Sequence, residues 1–371
     1  MPDRATPHRF PDSGSTAGAT GLFEHPEFDG HEQVVFCHDP EADLRAVIAI
    51  HSTRLGPAAG GCRMYDYASV EDAVHDVLRL SHGMTLKSAV AGLPLGGGKG
   101  VILADPRAPG KAERLRAFGR HVQRLAGQYW TAMDVGVGPA DVEGMVDVCD
   151  YVFTCTSHYP DGFDPSQFTS LGGFTGIRAV AAHAFGKDDL EGLRVAVQGV
   201  GSTGRDLCRQ LHAAGTRLVV ADVDPAATAY AVDHFDAIPA EPDAIYDQDV
   251  DIFAPCALGG VINDATLPRL RARAVCGLAN NQLAEPRHGE ELRRRGILYA
   301  PDFVVNAGGM IGASRIIYAE MDRERSFQQI HGIADTLREI FERADRSERA
   351  PETVALDVAQ EALERASETG N

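Results

Sequence analysis

The chain has 371 residues, 44% of them apolar and 24% charged, and its 35 Lys and Arg against 53 Asp and Glu give a net charge of −18. That length suggests two domains, with apolar residues enough for two buried cores. The acidic balance speaks against sequence-independent binding to nucleic acid or to an anionic membrane, both of which need basic patches, and no apolar run is long enough to cross a bilayer.

Residues 1–20 are polar, lack the apolar stretch of a secretory signal and read as a disordered tail. Residues 33–37 and 45–50 are rich in β-formers, and the Asp39-Pro40 pair between them predicts a turn. Ser69 reads as a helix N-cap with Asp72 three residues on, and Val70, Ala73, Val74, Val77 and Leu78 give the stripe of an amphipathic helix. A short strand over 101–103 and a helix over 111–126 follow. From about residue 150 the pattern becomes strand (193–198), glycine turn, helix (205–214) and strand (217–221), with further strands near 251–255 and 274–278. Parallel strands need such crossovers, so the expected class is α/β, with a doubly wound Rossmann sheet in the second half. The end of the chain is helical, one stripe running through Ile330, Ile333, Leu337, Ile340 and Phe341 and another helix spanning 352–368. The resulting division is a tail (1–20), a substrate and catalytic α/β domain (21–150), a dinucleotide-binding Rossmann domain (151–330) and C-terminal helices (331–371). The seven cysteines are scattered with no C-x-x-C pair. That pattern predicts neither a disulfide framework nor a metal site, and a reducing cytoplasm.

Gly199, Gly201 and Gly204 fit the dinucleotide fingerprint, with Val200, Ser202 and Thr203 inside the turn. The first glycine allows the tight turn, the second lets backbone approach a pyrophosphate, and the third lets helix pack on strand. The phosphates would sit on the helix N-terminus. Asp222, at the end of the next strand, suits the ribose hydroxyls and repels a 2′-phosphate, which favours NAD over NADP.

The densest chemistry lies between Met84 and Lys99. Gly96, Gly97, Gly98 and Lys99 are not a phosphate-cradling P-loop, because position 93 is Leu and position 100 is Gly. Three glycines would instead let backbone close around the stem of Lys99. With Lys87 as a second cation nearby, the pKa of such a lysine is expected to fall from about 10.4 toward the roughly 7–8 of a general base. Gly60 and Gly61 read as a glycine-rich turn offering bare N–H groups, and Asp134 as an acid at a strand end before a glycine loop.

Together these segments resemble the leucine/phenylalanine/valine dehydrogenases, the NAD-linked branch of the glutamate dehydrogenase superfamily. The resemblance runs from about residue 31 to 350 and rests on Leu55–Gly61, Met84–Lys87, Gly96–Lys99, Asp134-Val135, the fingerprint, Phe253–Gly260, Asn280–Gln282 and Tyr299–Gly309. It implies reversible oxidative deamination of an L-amino acid to a 2-oxo acid, with ammonia released and NAD reduced. It further implies that Lys99 is the general base, that Lys87 binds the substrate carboxylate and that Asp134 shuttles protons. Gly60, Gly61 and Asn281 would complete the carboxylate and nicotinamide surroundings. Asn280 and the Ser170 hydroxyl would lie at the cofactor. Ala59, Met133, Met310 and Ala313 would form an apolar side-chain pocket, which disfavours glutamate for want of a cation to meet its second carboxylate. The same resemblance implies a homo-oligomer whose final helices return to the first domain. The alternatives are a glutamate-type dehydrogenase and a non-catalytic NAD-binding regulatory protein.

Overall fold

The computed structural model describes residues 21–159, 164–318 and 322–369, so the expected tail over 1–20 lies outside the described residues. The first half contains strands β1 (Gln33–Asp39), β2 (Leu44–Ser52) and β3 (Ala58–Tyr65), helix α1 (Val70–Val90), strand β4 (Gly96–Leu103), helix α2 (Lys111–Arg124), strand β5 (Tyr129–Ala132) and helix α3 (Pro139–Val146). The strands form a sheet in the order β1-β2-β4-β3-β5. The strand pairs β1–β2 and β2–β4 run antiparallel, while β3 lies parallel to both β4 and β5.

Strand β2 shows why the sheet has helices on both faces. Successive side chains point to opposite sides of a strand. Ala46, Ile48 and Ile50 pack with Leu115, Phe118 and Val122 of α2 and Met145 of α3. Val47 and Ala49 face Ala73, Val74, Val77 and Leu78 of α1. Each such fully buried aliphatic side chain stabilises the fold by about 1.5–3 kcal/mol. The expected caps and turns hold: Asp72 N–H donates to Ser69 Oγ at 3.0 Å, and Asp39 Oδ1 accepts from Glu41 N–H at 3.1 Å and Ala42 N–H at 3.2 Å.

The glycine pairs behave differently from the sequence reading. Gly60 and Gly61 are not in a turn but inside β3, paired with Thr131 and Ala132 of β5. Gly96, Gly97 and Gly98 open β4 and do not wrap the stem of Lys99. A Cβ on Gly97 would lie 2.1 Å from Thr85 Oγ1, one on Gly96 1.9 Å from the Ser52 carbonyl oxygen, and one on Gly98 2.7 Å from the Tyr129 ring. The three glycines therefore clear space for α1, β2 and β5 to close on β4.

The second half comprises helix α4 (Pro165–Phe185), strand β6 (Arg194–Gln198), helix α5 (Ser202–Ala213), strand β7 (Arg217–Ala221), helix α6 (Pro225–Phe235), strands β8 (Ile238–Pro239), β9 (Ile252–Pro255) and β10 (Ala274–Val275), helix α7 (Arg287–Arg294) and strand β11 (Leu298–Tyr299). All pairs in this sheet are parallel, in the order β11-β10-β9-β6-β7-β8. The order reverses between β6 and β9, the switch point at which doubly wound sheets bind ligands.

Short helices α8 (Asp302–Val305) and α9 (Gly308–Ala313) lead to α10 (Arg323–His331), α11 (Ile333–Ser347) and α12 (Pro351–Thr369). Leu337, Ile340 and Phe341 bury the inner face of α11, which packs on α4. Helix α12 packs along α1, so the chain ends against its first half.

Candidate active site

A cavity of about 430 Å³ opens between the two halves. From the first half it is lined by Gly61, Arg63, Arg79, Met84, Lys87, Lys99, Ala132, Met133 and Asp134, and from the second by Asn280, Asn281, Asp302, Phe303, Gly309, Met310 and Ala313. Most of the expected catalytic and substrate residues thus converge. Gly60 and Ala59 stand behind the wall. Gly60 is needed because a Cβ there would lie 1.9 Å from the Gly98 carbonyl oxygen, and Ala59 packs in one core with Ala132, Phe153, Met310 and Ala313.

The centre of the site is a tight charge cluster. Lys99, only 6% exposed, places Nζ 3.0 Å from Asp134 Oδ2. Arg63 Nε donates to the same oxygen at 3.1 Å. Gly61 allows this approach, since a Cβ there would lie 2.9 Å from Asp134 Cβ. Burial alone would raise the Asp134 carboxyl, but Lys99 and Arg63 outweigh it and hold the carboxyl below its usual range. Lys87 extends from α1 and donates from Nζ to Asn306 Oδ1 at 2.6 Å. Burial, reinforced by Lys99 and opposed by Asp302, brings Lys87 down to about 8. Lys87 thus falls within the range useful to a group that exchanges protons near neutral pH.

The second half supplies partners that the sequence reading quoted without a role. Asn306 also donates through Nδ2 to Asn280 Oδ1 at 2.9 Å and so links Lys87 to the Asn280-Asn281 loop. Asp302 is half-buried, and desolvation raises its carboxyl against the pull of Lys87 and of the Asn281 and Gln282 N–H groups. An acid and an amide inside the apolar run Tyr299–Gly309 are the signal that marks them. Asn281 holds φ +52°, a left-handed backbone that turns the loop into the cleft. Thr154 Oγ1 accepts from Met133 N–H at 3.0 Å and fixes the strand end that carries Asp134.

Ser170 requires a correction. It is fully buried, donates to Gln167 O at 3.0 Å and to Asp206, and accepts from Gln210 Nε2 at 3.0 Å, so it faces α5 and not the cavity. Its neighbour Thr169 sits a helical step round, against Gly309 at the cavity rim. One residue of helix turns a side chain by about 100°, which no residue-type argument distinguishes.

The fingerprint residues form a tight turn from β6 into α5. Gly199 has φ +92°, and a Cβ on Gly204 would lie 2.0 Å from the Gly199 carbonyl oxygen. Around Gly201, the N-cap of α5, nothing lies within 4 Å of an added Cβ, and the first turn of α5 carries no acid. Ser202 and Thr203 open that turn, and Val200 is buried beneath it. Asp222 Oδ2 accepts from Val200 N–H at 2.7 Å, which places the carboxylate beside the turn. Unhindered N–H groups at a helix start, with space above the second glycine, fit a dinucleotide pyrophosphate.

Comparison with known proteins agrees with this arrangement. A model of the Glu/Leu/Phe/Val dehydrogenase dimerisation domain matches residues 31–151, and one of the Glutamate/Leucine/Phenylalanine/Valine dehydrogenases matches residues 223–367. The chain is 48% identical to a leucine dehydrogenase of Geobacillus stearothermophilus, covering 92% of this chain and 93% of that one. It is 43% identical to a phenylalanine dehydrogenase of Caldalkalibacillus thermarum, over 90% and 92% of the two chains. The crystal structure of an L-tryptophan dehydrogenase from Nostoc punctiforme superposes with a TM-score of 0.81 at 43% identity, covering 91% of this chain and 97% of that one.

Proposed function

The chain belongs to the Glu/Leu/Phe/Val dehydrogenase family, and we propose that it catalyses the reversible NAD-dependent oxidative deamination of apolar L-amino acids, leucine, valine and phenylalanine among them, to the 2-oxo acid and ammonia. The observation that carries this reading is the meeting of Lys87, Lys99 and Asp134 with Met133, Met310 and Ala313 in one cavity.

Lys87 gives the substrate carboxylate a fixed cation. The α-carbon then lies over the Asp134–Lys99 pair. Hydride leaves that carbon only when the amine is neutral, so Asp134 takes up the ammonium proton and keeps the nitrogen in place. Asp134 releases that proton to solvent and then takes one from Lys99 across their 3.0 Å contact; the neutral Lys99, in the same dry pocket, receives the proton of the water that attacks the resulting iminium carbon, and Asp134 returns its proton to the departing nitrogen. A nicotinamide dinucleotide held by the fingerprint supplies the hydride acceptor.

The side-chain end of the cavity is apolar. Arg63 and Arg79 also line the cavity, but both are engaged by Asp76, at 2.8 and 3.0 Å. A second substrate carboxylate set among Met133, Met310 and Ala313 would be buried without a partner at that end. The Asp222 carboxylate beside the fingerprint supports NAD over NADP, because a 2′-phosphate would meet its charge. The first sheet (21–150) carries the chemistry, the second (151–330) the dinucleotide, and the helices of 331–371 bind the two together. A homo-oligomer accords with the description of the matched first domain as a dimerisation domain. Seven free cysteines accord with a reducing cytoplasm. The test is a panel of leucine, valine, phenylalanine, tryptophan and glutamate with NAD and with NADP, followed by absorbance of the reduced cofactor. Turnover of the apolar substrates with NAD is expected, and a preference for glutamate would overturn the assignment.

A further inference from the structure

We propose that Arg63 is a positioning residue for this reaction: its guanidinium, clamped between Asp76 and Asp134, fixes the Asp134 carboxylate against Lys99 and the substrate nitrogen. The proposal rests on the deamination reading above.

The geometry begins with the pleat of β3. Gly61 and Arg63 lie on one face of the strand, two residues apart. The bare Gly61 lets the Met133 carbonyl and the Asp134 side chain settle on that face, and Arg63 reaches back to the Asp134 carboxylate. Arg63 itself is not free to wander. Its NH1 donates to Asp76 Oδ2 at 2.8 Å, and the same Asp76 oxygen accepts from Tyr67 OH at 2.7 Å. Arg79 holds the other Asp76 oxygen at 3.0 Å. The side chains of Arg63, Asp76 and Asp134 are 20%, 14% and 21% exposed, so the chain of contacts is shielded from bulk water over its whole length.

Both cations that touch Asp134 converge on one oxygen, Oδ2, from adjacent strands: Lys99 from β4 and Arg63 from β3. Cys62 on β3, Tyr129 on β5, Tyr67, and Lys87 on α1 also lie within reach of its field, and Asp76 stands behind Arg63. Among these, Arg63 is the one permanent cation, since a guanidinium does not lose its proton in a protein. Lys99 changes its bonding during the reaction, whereas Arg63 does not. A lysine could not replace it fully, because only the planar fork reaches Asp76 and Asp134 at once.

The experiment compares the full-length parent with Arg63→Met, Arg63→Lys and Asp76→Asn. Each is measured for kcat, KM and the pH profile of kcat on the best substrate of the panel, and for NADH binding by fluorescence. Arg63→Met is expected to lower kcat by about 30- to 100-fold with a small change in KM. It is also expected to move the acid limb of the profile up by about one pH unit, because the substrate ammonium, which must lose its proton before hydride leaves, then has one fixed cation fewer beside the Asp134 carboxylate that receives it. Arg63→Lys should restore most of the acid-limb position and part of kcat, and Asp76→Asn should give a smaller loss of kcat. Unchanged NADH binding marks a folded variant, and should Arg63→Met fail that check, the other two carry the test. An unmoved acid limb, or a loss confined to KM, overturns the positioning role. A parent that turns over none of the panel instead refutes the deamination reading, so the two failures are distinct.

Discussion

The two halves of the molecule make their binding chemistry in different ways. In the second half the fingerprint works through main chain: a positive-φ glycine, a helix start and one acid that hydrogen-bonds back to the turn. In the first half the work is done by side-chain charges, and the main chain is stripped of Cβ atoms so that they can meet. Gly60, Gly61 and Gly97 are each closed upon by a neighbouring strand or helix. A turn made of consecutive residues survives changes elsewhere in the fold. A charge cluster assembled from β3, β4, β5 and α1 depends on how closely those elements pack.

This contrast can be broken at its strongest point by Lys99→Ala. The expected outcome is a fall in kcat of about 10³-fold or more with NADH binding retained, since the residue serves chemistry and not the dinucleotide. Turnover within about tenfold of the parent would remove Lys99 from the general-base role.

Two glycine substitutions sharpen the comparison. Gly97→Ala forces a methyl to within 2.2 Å of the Thr85 backbone nitrogen and should destabilise the fold by about 1–3 kcal/mol, visible as a lower melting temperature. Gly201→Ala meets nothing within 4 Å. It should melt like the parent yet raise the KM for NAD by about tenfold, because its methyl occupies the space where the pyrophosphate belongs. Equal melting losses in both variants would contradict the distinction.

The smallest effect concerns pH. Lys87 is brought down to about 8, so its charged form prevails below that pH and is lost above it. The KM for a 2-oxo acid, which carries no titrating amine, should be flat below about pH 7 and climb toward tenfold per unit beyond pH 8. Lys87→Arg should abolish the climb, whatever its cost to KM at neutral pH.

The sequence carried the fingerprint, its acid and the α1 cap because each is decided by residues a few positions apart. It carried Lys87, Lys99 and Asp134 because charges in apolar, glycine-rich runs are conspicuous. It misled at Gly60 and Gly61, where adjacent glycines after a proline suggest a turn. What requires glycine there is the Gly98 carbonyl against Gly60 and the Met133 carbonyl against Gly61, and neither is a local property. Arg63 escaped notice for a similar reason, as its partners lie 13 and 71 positions away. Ser170 was mistaken for a cleft residue because the rotation of α4 about its own axis is fixed by Asp206 and Gln210, on another helix.

The placement of α12 along α1 has a mechanical consequence. The polypeptide passes between the two sheets once on its way from β5 to α4 and again on its way from α11 to α12. A body tethered at one point can tumble in any direction; tethered at two, it swings about the line that joins them. Any relative motion of the two halves therefore has to bend both crossings at once, and α1, the bearer of Lys87, is held by the helix that follows the second.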